Sequence, residues 1–361
     1  MQDLLGGAPE AGGPLVSKGD TVLIKPNLLS PRDPEEAVTT HPAVVQAVVE
    51  YCFLAGAGRV WIGDSCAGEH KDQQLWEATG MAEVTRVTGA ELKSFESEVV
   101  ACKCGSTQLP VPGWLDEVDL WISVPKLKTH TLTVLTCAVK NTYGMVAGRV
   151  KAYYHGQYPS PQAMSRFLLQ VHESLPPAYV VVDAVMAMEG NGPSNGTPAP
   201  AGLIIGGRDA LAIDATCAPI FQSRTQDIPI LRAALNKTPH VLDNIVVRGD
   251  GRELLDKISL KPSLGRLLLK LPEAVFGLAT AVLACRPRIN AEKCIACGAC
   301  ARICSQKAIS SIPHKDSYKI DVSRCIMCMC CAEACPCHAV EVKSPLRFFQ
   351  ALRRLLAGKR K

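Results

Sequence analysis

The 361-residue sequence predicts an α/β protein, a large, mainly parallel α/β domain followed by a small, cysteine-rich α+β domain. Three observations carry this reading. Short β-branched runs alternate with helix-period segments through the first 250 residues, and polar side chains gather where those runs end. Ten of the 17 cysteines then fall between Cys294 and Cys337. With 47% hydrophobic and 20% charged residues, the chain has enough apolar surface to bury a core, which excludes global disorder.

The elements follow in order. Residues 21–24 form a β-branched run that ends in Lys25-Pro26-Asn27. His41-Pro42 opens a helix-period segment reaching Ala55, with proline suited to the first helical position. Gly56 to Gly58 stop it, and residues 59–62 read as the next buried strand, ending in Gly63-Asp64-Ser65. Further strands are predicted at 120–124, 179–182 and 203–205. Lys25, Asn27, Asp64, Ser65, Lys126, Lys128 and Asp209 follow strands, and ligands of open α/β sheets bind at strand carboxyl ends. The expected organisation is an α/β domain over 1–250, a connector over 251–288, a cysteine-rich domain over 289–342 and a basic amphipathic tail over 343–361. The connector is expected to pack the two domains together.

Charge and cysteine usage narrow the function. Net charge is +5, but residues 343–361 hold seven basic side chains and no acid, leaving a slightly acidic remainder. With only 5% aromatics, nucleic acid is not an expected partner. The opening Met-Gln-Asp-Leu-Leu-Gly-Gly has neither the basic nor the apolar part of a secretion signal, so clustered thiols imply metal in a reducing, cytoplasmic compartment. Residues 274–285 are the most lipid-like stretch, twelve uncharged residues against the roughly 20 that span a bilayer. In the tail, Leu346, Phe349, Leu352 and Leu356 lie at helical spacing with arginines between them. Such a helix suits an anionic membrane surface, but packing against the protein is the expected role.

From Cys294 the chain reads C-I-A-C-G-A-C-A-R-I-C, and from Cys325 C-I-M-C-M-C-C-A-E-A-C-P, the same spacing repeated 31 residues on. This C-x2-C-x2-C-x3-C repeat is the two-cluster bacterial ferredoxin pattern, in which three close thiolates hold one [4Fe–4S] cube and the fourth serves the other. Cys294, Cys297, Cys300 and Cys335 are therefore expected to hold one cluster, and Cys325, Cys328, Cys331 and Cys304 the second. Zinc, which needs four ligands and commonly uses two CxxC pairs, fits a duplicated four-cysteine run poorly. Ser305 stands where the pattern has proline, and Met329-Cys330 where the first run has Gly298-Ala299. Cys330 and Cys337 are surplus thiols, expected to be small buried hydrophobes, and Cys330 beside Cys331 leaves ligand choice open by one residue.

Pro125-Lys126-Leu127-Lys128-Thr129-His130 follows a strand, and extended geometry puts Lys126, Lys128 and His130 on one face. A helix beginning near Thr129 would add its positive end, making an anion site. Lys140-Asn141 and Gly144 follow. Lys25-Pro26-Asn27, Thr39-Thr40-His41-Pro42, Gly63-Asp64-Ser65, the 125–130 run with Lys140-Asn141 and Gly144, and Glu189-Gly190-Asn191-Gly192-Pro193 together resemble a microbial family catalogued as a domain of unknown function and often fused to a two-cluster ferredoxin. The resemblance spans nearly the whole chain and implies an iron–sulfur oxidoreductase without a settled substrate. It also implies an extra strand and helix ahead of the Lys-Pro-Asn strand, whereas this sequence begins twenty residues before Thr21. A shortened start with an open sheet edge is the expectation.

Neither G-x-G-x-x-G after a strand nor G-x-x-x-x-G-K-[ST] occurs, so dinucleotide and P-loop chemistry lack support. C-x-x-C-H is likewise missing. The resulting expectation is a redox enzyme that passes electrons from a redox partner protein through two [4Fe–4S] clusters to a small anionic substrate. Lys25, Asn27, Asp64, Lys126, Lys128, His130, Lys140 and Asn141 are the expected substrate-binding residues. The alternative is a non-catalytic electron carrier or iron–sulfur delivery protein whose large domain docks a partner.

Overall fold

Strand β1 (Thr21–Pro26) is buried at all six positions because the sheet is covered on both faces. Val22 and Ile24 pack under helix α1 (Pro42–Leu54), while Leu23 points to the opposite face among Trp61, Phe95, Trp114 and Met145. Lys25 shares the Leu23 face by strand alternation. The computed structural model describes residues 1, 4–5, 14–66, 71–148, 150–263 and 286–343. Most of the predicted connector and nearly all of the basic tail, including its amphipathic helix, lie outside the described residues.

The large sheet continues through β2 (Arg59–Ile62) and β3 (Glu91–Leu92), both parallel to their neighbours. Helices α2 (Asp72–Ala78) and α3 (Met81–Thr88) form that crossover, and β4 (Val99–Cys104) with β5 (Thr107–Pro112) makes a separate hairpin. On the other side of β1 come β6 (Leu120–Val124), β9 (Tyr179–Glu189), β7 (Lys126–His130) and β8 (Val134–Thr136). β10 (Thr197–Gly207) returns antiparallel along β9, so the sheet is mixed but mainly parallel. Helices α4 (Ala138–Asn141), α5 (Val150–Gln157), α6 (Pro161–Ser174), α7 (Ala210–Cys217) and α8 (Pro229–Lys237) follow in chain order, and the apolar faces of α6, α7 and α8 share one core with β7 to β10.

The helix expected near Thr129 is not there. Thr129 lies inside β7, which turns directly into antiparallel β8, and the next helix begins at Ala138. The His130 ring makes the turn possible: its Nδ1 accepts from the Leu132 and Thr133 amides at 3.0 and 3.2 Å, stabilising a hairpin instead of a helix. Asp209 also serves structure, capping α7 by accepting from the Leu211 and Ala212 amides.

After the short helix α9 (Arg252–Leu255), the small domain repeats one plan twice: β11 (Arg286–Ile289), α10 (Ala299–Ile303) and β12 (Ile309–Ser311), then β13 (Tyr318–Ile320), α11 (Cys330–Glu333) and β14 (Val340–Lys343). β11 pairs with β14 and β12 with β13, all antiparallel. Left-handed backbone recurs at the repeat offset, at Ala296 and Met327, Gly298 and Met329, Lys307 and His338. The duplication is therefore one of backbone path as well as of cysteine spacing. Helix α5 joins the two domains: Ala152 is buried in the small domain's core, and a Cβ on Gly156 would come within 2.9 Å of Ser305 and Gln306 side chains.

Candidate functional site

A cavity of about 80 Å³, room for several water-sized groups, opens where the two domains meet. The large domain contributes Lys25 and Asn27 from the end of β1, Asp64 and Ser65 from the end of β2, Lys140 and Asn141 from α4, and Lys151 and His155 from α5. The small domain closes it with Ile303, Cys330 and Glu333. Five of the eight expected substrate-binding residues thus line one space: Lys25, Asn27, Asp64, Lys140 and Asn141.

The network is built from β1 outwards. Lys25 Nζ, fully buried, lies 2.7 Å from Asp64 Oδ1 and donates to Pro26 O and to Asn141 Oδ1 at 3.0 and 3.2 Å. Burial lowers its pKa, and Asp64 opposes the shift. Asp64 Oδ2 accepts from the Leu28 amide, so the carboxylate is fixed at both oxygens. Asn141 Nδ2 donates to Lys25 O and Ser123 Oγ, which ties α4 to both β1 and β6. Gly144 must lack a side chain, because a Cβ there would sit 2.2 Å from Asp64 Oδ1 and 2.5 Å from Lys25 Nζ. Thr40 Oγ1 accepts from the Asn27 amide and donates to Val124 O, which gives the Thr-Thr-His-Pro run its structural part.

The other three expected residues do not line the cavity. Lys126 forms a fully buried ion pair with Asp183 at 2.9 Å, whose Oδ2 also accepts from the His41 amide. Lys128 stands behind the cavity wall, donating to Asn27 Oδ1 at 2.9 Å and Val38 O at 2.6 Å. Burial, reinforced by Lys140, pushes its pKa down to about 7. His130 holds its turn, and burial keeps its ring neutral. The Glu-Gly-Asn-Gly-Pro run also lies elsewhere: a Cβ on Gly192 would clash with Thr129 O, and Glu189 pairs with Lys261.

Lys151, His155 and Glu333 escaped the sequence reading. Lys151 Nζ donates to Ser65 O and Oγ, both at 2.6 Å. His155, one helical turn on, is 8% exposed, its Nδ1 has no partner among the described residues, and burial pulls its pKa down to about 3. The Lys-x-x-x-His spacing of α5 was the available signal. Glu333 was hidden between two cysteines of the motif. Burial raises its carboxyl pKa, and Lys140, Lys128 and Lys151 oppose that rise. Lys140 itself has no hydrogen bond from Nζ and no ion pair among the described residues, and burial lowers its pKa while Glu333 opposes.

The cysteines gather in two sets. Cys304, Cys325, Cys328 and Cys331 line one small apolar cavity of about 20 Å³, with Cys304 arriving from the first run. Burial raises the Cys300 thiol to about 11, with the neighbouring Cys335, Cys294 and Cys297 adding to the rise. Clustered thiols are the donor chemistry of iron–sulfur clusters. Cys330 is common to the thiol cavity and the lysine cavity, and stands between them.

Residues 22–219 match the family described as a domain of unknown function, DUF362, more than half the chain, and residues 286–336 match a 4Fe-4S dicluster domain. The chain belongs to the DUF362 family. It is an iron–sulfur protein, with the family domain followed by a ferredoxin-like unit. It is 32% identical over 224 residues to the thylakoid-associated protein sll1697 of Synechocystis sp., covering 61% of this chain and 69% of that protein. Looser likenesses are to the lactate racemase apoprotein of Thermoanaerobacterium thermosaccharolyticum (14% identical, TM-score 0.39, 57% of this chain) and a protein from Thermotoga maritima (13% identical, TM-score 0.36, 69% of this chain). The chain spans 52% and 59% of the length of those two structures. Among the described residues no helix is long and apolar enough to cross a membrane.

Proposed function

We propose that this DUF362 protein is an oxidoreductase that passes electrons through two [4Fe–4S] clusters to a small anionic molecule held between its two domains. The observation that carries the reading is the shared cavity: lysines and amides from the α/β domain form its floor, and the cluster-binding helix α11 forms its lid. Cys294, Cys297, Cys300 and Cys335 would hold one cluster, and Cys325, Cys328, Cys331 and Cys304 the other. When bound, the clusters supply single-electron transfer.

The chain's own residues do the rest. Lys140, lacking a direct counter-ion among the described residues, offers its charge to the ligand's anionic group, while Lys25 is held by Asp64 and Lys151 by Ser65. The Asn27 side-chain amide sets its orientation, Asn141 holds the floor beneath it, and the apolar Ile303 side chain narrows access for water. Electrons come from a redox partner protein reaching the side of exposed Cys297. Thiol-rich cluster sites suit a reducing cytoplasm.

Lys140→Ala is expected to weaken inorganic phosphate binding at least tenfold by calorimetry, roughly the loss of one charge-assisted hydrogen bond, and Lys151→Ala, which removes a cavity charge already held by Ser65, by less, with visible cluster absorbance intact in both. Unchanged affinity in both variants would favour an electron carrier or cluster-delivery protein whose large domain docks a partner.

A further inference from the structure

The two cysteine sets are not equivalent towards the lysine cavity. Among the described residues only Cys330 lines both the lysine cavity and the pocket walled by Cys304, Cys325, Cys328 and Cys331. It sits at the start of α11, and Glu333, one turn on, reaches the same cavity as Lys140. None of Cys294, Cys297, Cys300 and Cys335 lines that cavity among the described residues. Lys140 and Glu333 line that cavity from opposite domains, and the Glu333 carboxylate opposes the lowering of the Lys140 pKa by burial. Lys140, with no hydrogen bond or ion pair from its Nζ among the described residues, lines the cavity that shares Cys330 with that thiol pocket, so its charge is placed to respond to a change of charge there.

We propose that Lys140 couples the cavity to the cluster of Cys325, Cys328, Cys331 and Cys304, so that anion binding and reduction of that cluster oppose each other. The inference rests on the anion site proposed above. One electron taken from an external reductant adds one negative charge to the cluster, and the Lys140 ammonium stabilises it. An anion seated on Lys140 cancels that stabilisation. By linkage, the factor by which reduction weakens anion binding equals the factor by which the anion disfavours reduction. The other cluster, none of whose expected ligands lines the cavity among the described residues, responds less to both. Electrons arriving near exposed Cys297 thus meet the ligand-sensitive cluster last, and oxidation of that cluster tightens the cavity's hold on the next anion.

The test is an anaerobic redox titration of the full chain followed by electron paramagnetic resonance, with and without inorganic phosphate. Cys297→Ser, which alters one cluster's signal, identifies the other. The expected result is phosphate affinity about tenfold weaker after dithionite reduction, within the range of ordinary coupling between sites. Phosphate should lower the potential of the cluster of the second run more than that of the other. Lys140→Met should lower it without phosphate and remove the phosphate effect, while Lys140→Arg, which keeps the charge, retains the wild-type potential. Equal shifts of both clusters, or normal phosphate affinity with neither potential moved, would overturn the coupling and leave the anion site standing. If wild-type protein binds no phosphate at all, the anion site itself is refuted and the coupling with it.

Discussion

His155 shows how a single buried side chain sets a pH response. Its ring lies against the cavity with an unpartnered Nδ1, and burial holds its pKa near 3, against about 6.5 in an unfolded chain. Between those values the unfolded chain binds a proton that the folded protein refuses. The stabilisation from a neutral His155 is therefore complete above pH 6.5 and is lost progressively as pH falls towards 3. Denaturant midpoints should fall from pH 7 to pH 5, with this residue contributing at most about 1.4 kcal/mol per pH unit. In His155→Phe the decline should be shallower by that amount, and an identical slope in the variant would contradict the assignment. At this scale the sequence was informative where chemistry sits at strand ends. Lys25, Asn27 and Asp64 follow β1 and β2, and the fold brings them together. It was uninformative where a partner is remote. Lys126 looks the same as Lys25 in sequence, yet finds Asp183, 57 residues away, and is spent in the interior.

Helix α4 is only one turn long, yet it delivers both Lys140 and Asn141. Asp214 of α7 holds its start, with Oδ1 accepting from the Ala138 amide at 2.7 Å and Oδ2 from the Val139 amide at 3.3 Å. Burial raises that carboxyl to about 7, and the amide hydrogen bonds restrain the rise. Asp214→Ala leaves two buried amides unpaired and should cost about 1–3 kcal/mol in denaturant unfolding, with weaker phosphate binding because α4 loses its anchor. Asp214→Asn, which keeps one acceptor oxygen, should lose less, and equal loss in both variants would contradict the capping role. The α4 start was not legible, because the preceding Thr-rich run reads equally as strand or helix entry until His130 is seen closing a hairpin. The duplicated small domain was legible, since its offset recurs in the left-handed positions as well as in the cysteines. Met329 occupies one of those positions, where the first repeat has Gly298.

At the scale of the whole molecule, two domains recognisable separately from sequence make one site neither holds alone. Composition and spacing separated an α/β domain from a cysteine-rich one, but nothing in either pattern showed that α5 packs into the small domain's core through Ala152 or that Glu333 faces three lysines. Such contacts join residues far apart in sequence, Glu333 and Lys151 among them, and leave no periodic trace. They carry the function proposed above, because among the described residues Cys330 lines both the lysine cavity and the pocket of Cys304, Cys325, Cys328 and Cys331. The most direct test is diffraction at the iron edge from anaerobically grown crystals of the full chain. The expected result is two cubane peaks, about eight iron in all, with one peak bound by Cys304, Cys325, Cys328 and Cys331 and lying behind Cys330 at the lysine cavity. A single mononuclear site, or two cubes both remote from Lys140, would contradict it.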